Sequence, residues 1–268
     1  PLNTWLRVLG TIPLEKRTKK MKVENSWKEE FRGSLKNEND LNKFYKKGEH
    51  SFKPSESYPI FLPKIYAQKI KNIEGPLGKQ FLPNDIENDE EIQSKGSIDP
   101  IGDQEFQKVP QLIHRYKSRA LFAPTTKCPV ICRYCFRKNE LNQSLPLFKP
   151  QFEEVINYLN QHNEIEEIIF TGGDPLILSD SQINHYLEEF SKLSSIKYIR
   201  FHTRTPLILP SRITQNFCNI IKKARGHFKK VSIALHSNHI DEINSEVERA
   251  ILKLQETRAT LLSQTVLL

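Results

Sequence analysis

The sequence lacks the features of a membrane-spanning or exported protein. No apolar run in its 268 residues is long enough to cross a bilayer. The early segment 4–10 is too short and too polar for a signal peptide. Charged residues make up 27% of the chain and the mean hydropathy is −0.55, values typical of soluble proteins. We therefore expect a cytoplasmic protein with no membrane partner.

Cysteine is scarce, with four residues in the whole chain. Cys128, Cys132 and Cys135 occur together, whereas Cys218 falls inside a helical pattern that predicts a core position. Three close thiols cannot all pair with one another, and no export signal is present, so a disulfide framework is not expected.

Three thiolates can hold three corners of a cubane iron–sulfur cluster, which normally takes four protein ligands. The fourth iron would then be open to a ligand that is not protein. Zinc is the alternative, because His114 could complete a Cys₃His site, but no second short C-x-x-C or C-x-x-H pair follows. A passive electron carrier would need a fourth ligand, which no nearby cysteine supplies. The neighbouring Lys127, Arg133 and Arg137 are expected to favour the thiolate form.

The chain is basic, with a formal net charge of +8. The basic runs 15–20 and 222–225 could contact phosphates. Acidic residues are mixed through most of the chain, however, and solvated helix faces carry the same pattern. Nucleic acid is therefore not the expected partner, and an acidic protein surface or a phosphorylated cofactor explains the charge equally well.

Residues 1–112 predict an accessory region of small helices. Short apolar islands predict helical pieces at 5–9, 40–45 and 65–70, and the prolines of segment 58–63 exclude a regular helix there. The acidic segment 84–97 predicts an exposed loop.

From Arg119 onward the pattern changes to alternating strands and helices. Apolar runs predict strands at 120–123, 167–170, 198–201, 231–235 and from 260; helical spacing predicts helices at 151–160, 181–193, 211–223 and 244–256. Repeated βα units imply a parallel sheet with right-handed crossovers. Polar candidates follow each strand, at the edge where parallel barrels place their active sites.

These motifs resemble a known family. The C-x-x-x-C-x-x-C spacing is similar to the signature of radical S-adenosylmethionine (SAM) enzymes, in which SAM occupies the open iron. More narrowly, five stretches resemble the lysine 2,3-aminomutase family in order and spacing. They are 109–116, the C-R-Y-C-F-R run at 132–137, 171–176, 204–214 and 264–268.

The resemblance implies an α/β fold with a partial (βα)₆-type radical SAM barrel in residues 113–268. Five strands are visible in the pattern, and the sequence stops at Leu268 in mid-pattern. The first residue is Pro1 rather than Met. Because the strand pattern stops at Leu268, we expect a C-terminally truncated chain whose barrel has an open edge.

The resemblance also implies ligand-binding roles. The three clustered cysteines would hold a [4Fe-4S] cluster. The residues expected to contact SAM are Gly172, Gly173, Asp174, Thr203, Arg204, His236 and Gln264. From the residues alone, G-G-D after a strand is equally an ordinary turn with an Asp cap, and a lone His or Gln at a strand end is more often structural.

Arg115, Tyr116 and Arg119 form an R-Y-x-x-R motif before the first predicted strand. If this turn is helical, both arginines lie on one face, and with Arg133 they could converge on a phosphate. Surface salt bridging is the alternative. The resemblance implies that these four residues hold the phosphate of pyridoxal 5′-phosphate (PLP), and that Arg137 holds a substrate carboxylate. The family's Schiff-base lysine lies beyond the last residue, so no lysine here is assigned that role.

The implied activity is that of an isomerase, L-lysine 2,3-aminomutase, which forms β-lysine. Tyr134 and Phe136 resemble the branch that supplies β-lysine for elongation factor P. One alternative is another radical SAM enzyme, acting on a different amino acid or modifying RNA or protein. The other is a zinc- or iron–sulfur-containing nucleic-acid-binding module. The expected partners are a small-molecule substrate and a reductant such as flavodoxin or ferredoxin, and a homo-oligomer is compatible with the pattern.

Overall fold

A computed structural model describes residues 26–45, 52, 58–97, 99–137 and 150–267 of the chain. Its centre is a seven-stranded sheet whose strands lie side by side in sequence order. The strands are β1 (Gln107–Val109), β2 (Leu112–Tyr116), β3 (Arg119–Phe122), β4 (Glu167–Phe170), β5 (Tyr198–Thr203), β6 (Lys230–His236) and β7 (Thr260–Gln264).

The five strands from β3 to β7 run parallel, as the sequence predicts. The sheet does not close, because β1 and β7 stand at opposite ends of the strand order. This confirms the α/β class and the open barrel edge.

Each connection between the parallel strands contains one long helix, and each of these four long helices confirms a predicted helix. With the small helices that precede them, the helices are α1 (Ser26–Arg32), α2 (Glu38–Tyr45), α3 (Lys64–Ala67), α4 (Pro76–Phe81), α5 (Glu90–Ser94), α6 (Asp103–Phe106), α7 (Phe152–Gln161), α8 (Asp180–Ser191), α9 (Thr205–Ile208), α10 (Gln215–His227) and α11 (Ser245–Glu256). Short 3₁₀ turns occupy Asp85–Asn88, Pro175–Ile177, Pro210–Arg212 and Ile240–Glu242. Among the described residues, no helix has the length and apolar character needed to cross a bilayer.

Side-chain caps decide where the connecting helices begin. Ser179 and Gln182 form a capping box at the start of α8, and Asn244 caps α11. The helix predicted from 211 starts later, because Pro210–Arg212 forms a 3₁₀ turn and the Thr214 side chain accepts a hydrogen bond from the amide of Phe217.

The main core lies between the outer face of the sheet and these connecting helices. Phe122 of β3 sits at its aromatic centre, with ring centroids 5.0–5.5 Å from those of Phe152, Phe170, Tyr186 and Phe190. Cys218 is buried in this core, as its helical pattern predicts.

A second apolar cluster belongs mainly to the accessory region before the sheet. Leu41, Leu62 and Tyr66 are buried in it together with Val130 of the cysteine loop and Leu209 after β5. The accessory helices therefore pack directly against the segments that follow two of the strands. The helix predicted at 5–9 lies outside the described residues.

Two predictions for the region before β3 are wrong. The segment 84–97 is largely exposed, as predicted, but it forms the 3₁₀ turn Asp85–Asn88 and helix α5 rather than a loop, because Asn84 and Asp89 cap two short helical turns. The R-Y-x-x-R motif is not helical, because β2 and β3 form an antiparallel hairpin that adds to the sheet. The domain boundary after residue 112 stays a prediction, and β2 begins at that residue.

Arg212 is fully buried between the accessory layer and the barrel. Its Nε donates to the carbonyl of Leu176 at 2.6 Å, and its Nη2 to the carbonyl of Leu178 at 3.0 Å. The guanidinium lies 4.9 Å from the ring centroids of both Trp27 and Phe217. One side chain thus joins helix α1, the turn after β4 and helix α10.

We expect Arg212→Ala to lower the free energy of unfolding by about 2–6 kcal/mol. Two buried carbonyls lose their donor, at roughly 1–3 kcal/mol each. Urea unfolding monitored by circular dichroism measures the change. Lys222→Ala on the exposed face of α10 is the control, with an expected change within about 0.5 kcal/mol. Equal stability of the two variants would contradict this account of Arg212.

Candidate active site

The cysteine loop follows β3 and is held by the accessory region. The amide of Ile131 donates to the carbonyl of Phe61 at 3.0 Å, and the amide of Arg133 to the carbonyl of Gln80 at 2.8 Å. The Tyr58 hydroxyl donates to the carbonyls of Cys132 at 2.7 Å and Arg133 at 2.5 Å. The loop conformation therefore depends on residues far away in the sequence.

The glycine pair after β4 packs against the start of the cysteine loop. Gly173 donates its amide to the carbonyl of Thr125 at 2.8 Å, and Asp174 donates its amide to that of Lys127 at 2.9 Å. A Cβ atom at Gly173 would lie 2.3 Å from the Lys127 carbonyl oxygen, and Gly172 has a positive φ of 97°. Side chains are therefore excluded at both positions by backbone geometry.

The three cysteines of the loop are each partly buried. Thiolates are the usual protein ligands of iron–sulfur clusters, so this donor set fits such a cluster. The structure does not support His114 as a fourth zinc ligand. Its Nε2 lies 3.4 Å from the Lys117 carbonyl, just before β3 begins, whereas the cysteine loop follows the other end of β3. A Cys₃His zinc site completed by His114 is therefore not supported.

The prediction that neighbouring basic residues favour the thiolate form of the cysteines is wrong in part. Arg133 forms an ion pair with Glu87 and Arg137 one with Asp103, so neither charge is uncompensated beside the sulfurs. Burial raises the pKa of the Cys128 thiol well above its usual range, and the charge of Asp174 adds to the effect. A cation that does reach the loop belongs to Arg204, whose Nη1 lies 3.5 Å from the Sγ of Cys132.

Asp174 links the ends of β4 and β5. Its carboxylate accepts hydrogen bonds from the Thr203 hydroxyl at 2.7 Å, the Arg204 amide at 2.7 Å and the Thr205 amide at 3.0 Å. It also caps the turn through the Leu176 amide at 3.0 Å. Burial raises the pKa of Asp174, and these hydrogen bonds act against that increase. Two residues predicted to contact SAM, Asp174 and Thr203, therefore bind each other.

The Arg204 side chain connects several elements at this edge of the sheet. Its Nη2 lies 2.6 Å from the Glu242 carboxylate and 2.8 Å from the Gln80 side-chain oxygen, and its Nη1 donates to the Tyr134 hydroxyl. The pKa of Arg204 is raised. Burial opposes the charge, but the neighbouring Cys132 and Glu242 outweigh it.

Tyr134 connects the cysteine loop to the end of β6. Its hydroxyl lies 3.0 Å from the Nε2 of His236 and accepts a hydrogen bond from the Asn238 side chain at 2.8 Å. Burial, followed by the charge of Arg204, lowers the pKa of His236 to about 4, so its imidazole is neutral at pH 7. Gln264 lies beside His236 in the register of β6 and β7.

Two polar atoms of this edge have no hydrogen-bond partner among the described residues although they are buried. They are the Nε of Arg204 and the Oγ of Ser237. Buried polar groups are normally paired, so these atoms are candidates to bind a polar ligand.

The residues assigned to the PLP phosphate do not come together. Arg115 pairs with Asp103, with Nη2 to Oδ1 at 3.3 Å, and Arg119 lies 3.8 Å from Glu167. Arg133 stacks on Tyr58, whose ring centroid is 3.9 Å away, and Tyr116 is 62% exposed. The expected convergence of three cations on one phosphate is not found. Arg115 and Arg137 do share Asp103, so these two are neighbours.

Sequence reasoning missed Gln80, Asn238 and Glu242 as parts of the site. Asn238 and Glu242 follow β6, so their position past a strand end was an available signal. Gln80 lies on α4 of the accessory region, where the sequence carries no such signal. Two histidines without an assigned role also lie near this edge. His202 is on β5, and His239 follows β6.

Comparison with known proteins gives consistent matches. Residues 122–258 match the radical SAM superfamily. The chain is 34% identical over 223 residues to L-lysine 2,3-aminomutase of Haemophilus influenzae, covering 82% of this chain and 64% of that protein. It is 33% identical over 264 residues to L-lysine 2,3-aminomutase of Buchnera aphidicola, covering 95% and 75%. It is 32% identical over 211 residues to glutamate 2,3-aminomutase of Clostridioides difficile, covering 78% and 48%.

We expect Gly173→Ala to abolish a stable cysteine loop. The added Cβ would meet the Lys127 carbonyl oxygen at 2.3 Å, so the backbone of the loop must move. Iron per chain after anaerobic purification, together with the thermal midpoint, measures the effect.

Gly226→Ala is the matched control for this substitution. It lies in α10 with no atom within 4 Å of the added Cβ, and alanine should stabilise a helix there by about 0.8–1 kcal/mol. Full iron content in Gly173→Ala would show that the close approach is not needed.

We expect the protein to lose stability as the pH falls from about 6.5 to 4. The pKa values of His202 and His236 are lowered from 6.5 to about 4, chiefly by burial. The unfolded chain therefore takes up protons in this window that the folded chain does not, and protonation favours unfolding.

Urea unfolding at several pH values tests the His236 contribution. His236→Asn should make the pH dependence shallower between pH 6.5 and 4, since one such group is removed. His227→Asn, at an exposed position of α10, should leave the slope unchanged. An unchanged slope for His236→Asn would mean that this imidazole titrates normally in the folded protein.

Proposed function

The chain belongs to the radical SAM superfamily and, within it, to the lysine 2,3-aminomutase family, and on that basis we propose that the full-length protein converts L-lysine to β-lysine. The chain spans 64% of the length of the Haemophilus relative, so the activity of the whole protein is part of the proposal. The observation that supports it best is the link through Arg204 and Tyr134 between Cys132 and His236 at the carboxyl edge of the parallel strands.

Membership of the family implies a [4Fe-4S] cluster, SAM and PLP as cofactors. Cys128, Cys132 and Cys135 would hold the cluster, and with SAM it supplies the radical chemistry. A coordinating metal deprotonates a thiol outright, which offsets the raised pKa of Cys128. The guanidinium of Arg204 beside Cys132 stabilises negative charge on that sulfur.

Other side chains of this chain orient and shield the proposed SAM site. Tyr134 and Asn238 position the neutral imidazole of His236, which can accept or donate one hydrogen bond to a bound ligand. Phe81 lies over the Arg204 guanidinium, with 4.6 Å to its ring centroid, and shields it from water. The SAM contacts of Gly172, Gly173, Asp174, Thr203 and Gln264 remain part of the proposal.

PLP dependence is proposed from the family alone. In the described residues the arginines assigned to its phosphate are paired with carboxylates on separate elements. The arrangement does not fit a phosphate site as it stands, and we derive no catalytic step through PLP. The contact of Arg137 with a substrate carboxylate likewise remains a proposal, since Arg137 is paired with Asp103.

The proposed substrate is L-lysine, and glutamate is the second candidate. The lysine proposal follows the names of the Haemophilus and Buchnera relatives, whereas the 32% identity to a glutamate 2,3-aminomutase supports the alternative. The supply of β-lysine for elongation factor P is a finer proposal supported by Tyr134 and Phe136. We also propose a flavodoxin- or ferredoxin-type protein as the reductant, and association of the chain with copies of itself.

Anaerobic reconstitution of the full-length protein tests the function. We expect cluster and PLP absorption, and conversion of L-lysine to β-lysine that requires both SAM and a reductant. Parallel reactions with L-glutamate identify the alternative substrate. A protein that binds iron and SAM but converts neither amino acid would contradict the aminomutase assignment.

His236→Ala tests the SAM site separately. We expect SAM to bind roughly 2- to 10-fold more weakly, since one hydrogen bond is worth about 0.5–1.5 kcal/mol, while the iron content stays unchanged. Equilibrium binding to the anaerobic protein measures this, with His227→Ala as the control. Undiminished SAM affinity in His236→Ala would remove this residue from the site.

A further inference from the structure

Two histidines and a glutamate meet at the end of the sheet opposite the cysteine loop. His114 lies on β2, and His162 and Glu164 lie in the turn between α7 and β4. One ligand atom from each residue lies within 4.8 Å of those of the other two. This spacing is close enough for the three side chains to reach one ion.

The site lies at the amino ends of the parallel strands. The Nε2 of His114 is 3.4 Å from the carbonyl of Lys117, just before β3 begins. The amide of Glu166, just before β4 begins, donates to the carbonyl of Ser118 at 2.9 Å. The cysteine loop follows the opposite end of β3, so this group is separate from the proposed cluster and SAM site.

Tyr158 of α7 holds both imidazoles in place. Its hydroxyl lies 2.9 Å from the Nδ1 of His114, and its ring stacks on that of His162 with 4.0 Å between centroids. The two imidazoles meet edge to face at 5.8 Å. Metal-ligating histidines are usually oriented by such partners, so the rings need little reorganisation to bind an ion.

Glu164 adds an anionic oxygen to the two imidazoles. Its Oε1 lies 2.9 Å from the Nδ1 of His162, and a backbone hydrogen bond and the contact with His162 lower the pKa of its carboxyl group. The carboxylate is therefore ionised at neutral pH. Glu164 is exposed, whereas the two histidines are partly buried, so the site opens to solvent on the Glu164 side.

We propose that His114, His162 and Glu164 form a binding site for Zn²⁺ or a related divalent transition metal. Two imidazoles and one carboxylate are a donor set that zinc takes in proteins, at about 2.0–2.2 Å per bond, with water in the fourth position. Around a tetrahedral ion such ligand atoms lie about 3.4 Å apart. The three ligand atoms now lie within 4.8 Å of one another, so the side chains would have to close by about 1 Å around the ion.

The bound ion would tie two parts of the sheet together. The β2–β3 hairpin supplies His114, and the turn before β4 supplies the other two ligands. The ion would therefore stabilise the edge where the antiparallel hairpin joins the parallel strands. This role is structural and does not depend on the proposed aminomutase activity.

Zn²⁺ titration of the cluster-loaded protein under anaerobic conditions tests the site. With the three loop cysteines occupied by iron, we expect one further Zn²⁺ per chain by calorimetry, and a rise in thermal midpoint. His162→Ala and Glu164→Gln should each weaken Zn²⁺ binding at least about tenfold, because even outer-shell partners of a metal contribute roughly 10- to 100-fold. Both substitutions lie in a turn, so folding should be retained.

His227→Ala is the control, since this histidine is exposed on α10 and distant from the site in sequence. It should bind Zn²⁺ as the unmodified protein does. Co²⁺ substitution adds an independent readout: nitrogen and oxygen ligands give weak visible bands without intense thiolate-to-metal charge transfer. Zn²⁺ affinity unchanged by His162→Ala and Glu164→Gln, or thiolate bands in the Co²⁺ spectrum, would overturn the proposal.

Discussion

The buried ion pair between Arg204 and Glu242 is the interaction on which the carboxyl edge of the sheet depends. Arg204 is 6% exposed and Glu242 is fully buried. A buried charge is costly unless it is paired and its remaining hydrogen-bonding groups are satisfied. Glu242 meets that condition, because its carboxylate also accepts hydrogen bonds from the Tyr66 hydroxyl at 3.1 Å and from the backbone amide of Asn238 at 2.7 Å. The pair therefore joins the end of β5, the turn after β6 and helix α3.

The accessory region is part of the site because of this pair. Gln80 of α4 accepts hydrogen bonds from Arg204 and from the Asn238 side chain, and its backbone carbonyl holds the amide of Arg133. Lys69 donates to the Glu242 carbonyl at 2.9 Å, and burial lowers the pKa of its ammonium group to about 8. The helices before the sheet thus fix the cysteine loop and the Arg204 network at once.

The arginines assigned to the PLP phosphate and the substrate carboxylate are all paired with acidic side chains. Arg115, Arg119, Arg133 and Arg137 each have a carboxylate partner, and three different acidic residues supply them. Two of the four share Asp103, which places one negative charge between two cations. Any anion that replaces Asp103 there would inherit two guanidinium partners, whereas Arg119 and Arg133 remain on other elements.

The sequence by itself determined the order of strands and helices from β3 onward. Strand predictions at β3 to β7 and the four connecting helices are confirmed, because apolar period and helix caps are local signals. The resemblance to the radical SAM and lysine 2,3-aminomutase families is confirmed by the comparisons, because its motifs are contiguous in the chain.

Only the tertiary structure decided which side chains meet. The R-Y-x-x-R motif forms the tight turn of a hairpin because β2 pairs with β3, and propensity in a short segment yields to such pairing. The caps that turned 84–97 into short helices were visible in the sequence, but their effect in an acidic segment was not. The guanidinium beside Cys132 belongs to Arg204, whose Nη1 lies 3.5 Å from the sulfur although Arg204 is also paired with Glu242. Arg133 and Arg137, the neighbours in the chain, pair with Glu87 and Asp103. Electrostatic partners are set by distance in space, and the spacing of residues along a chain does not contain that distance.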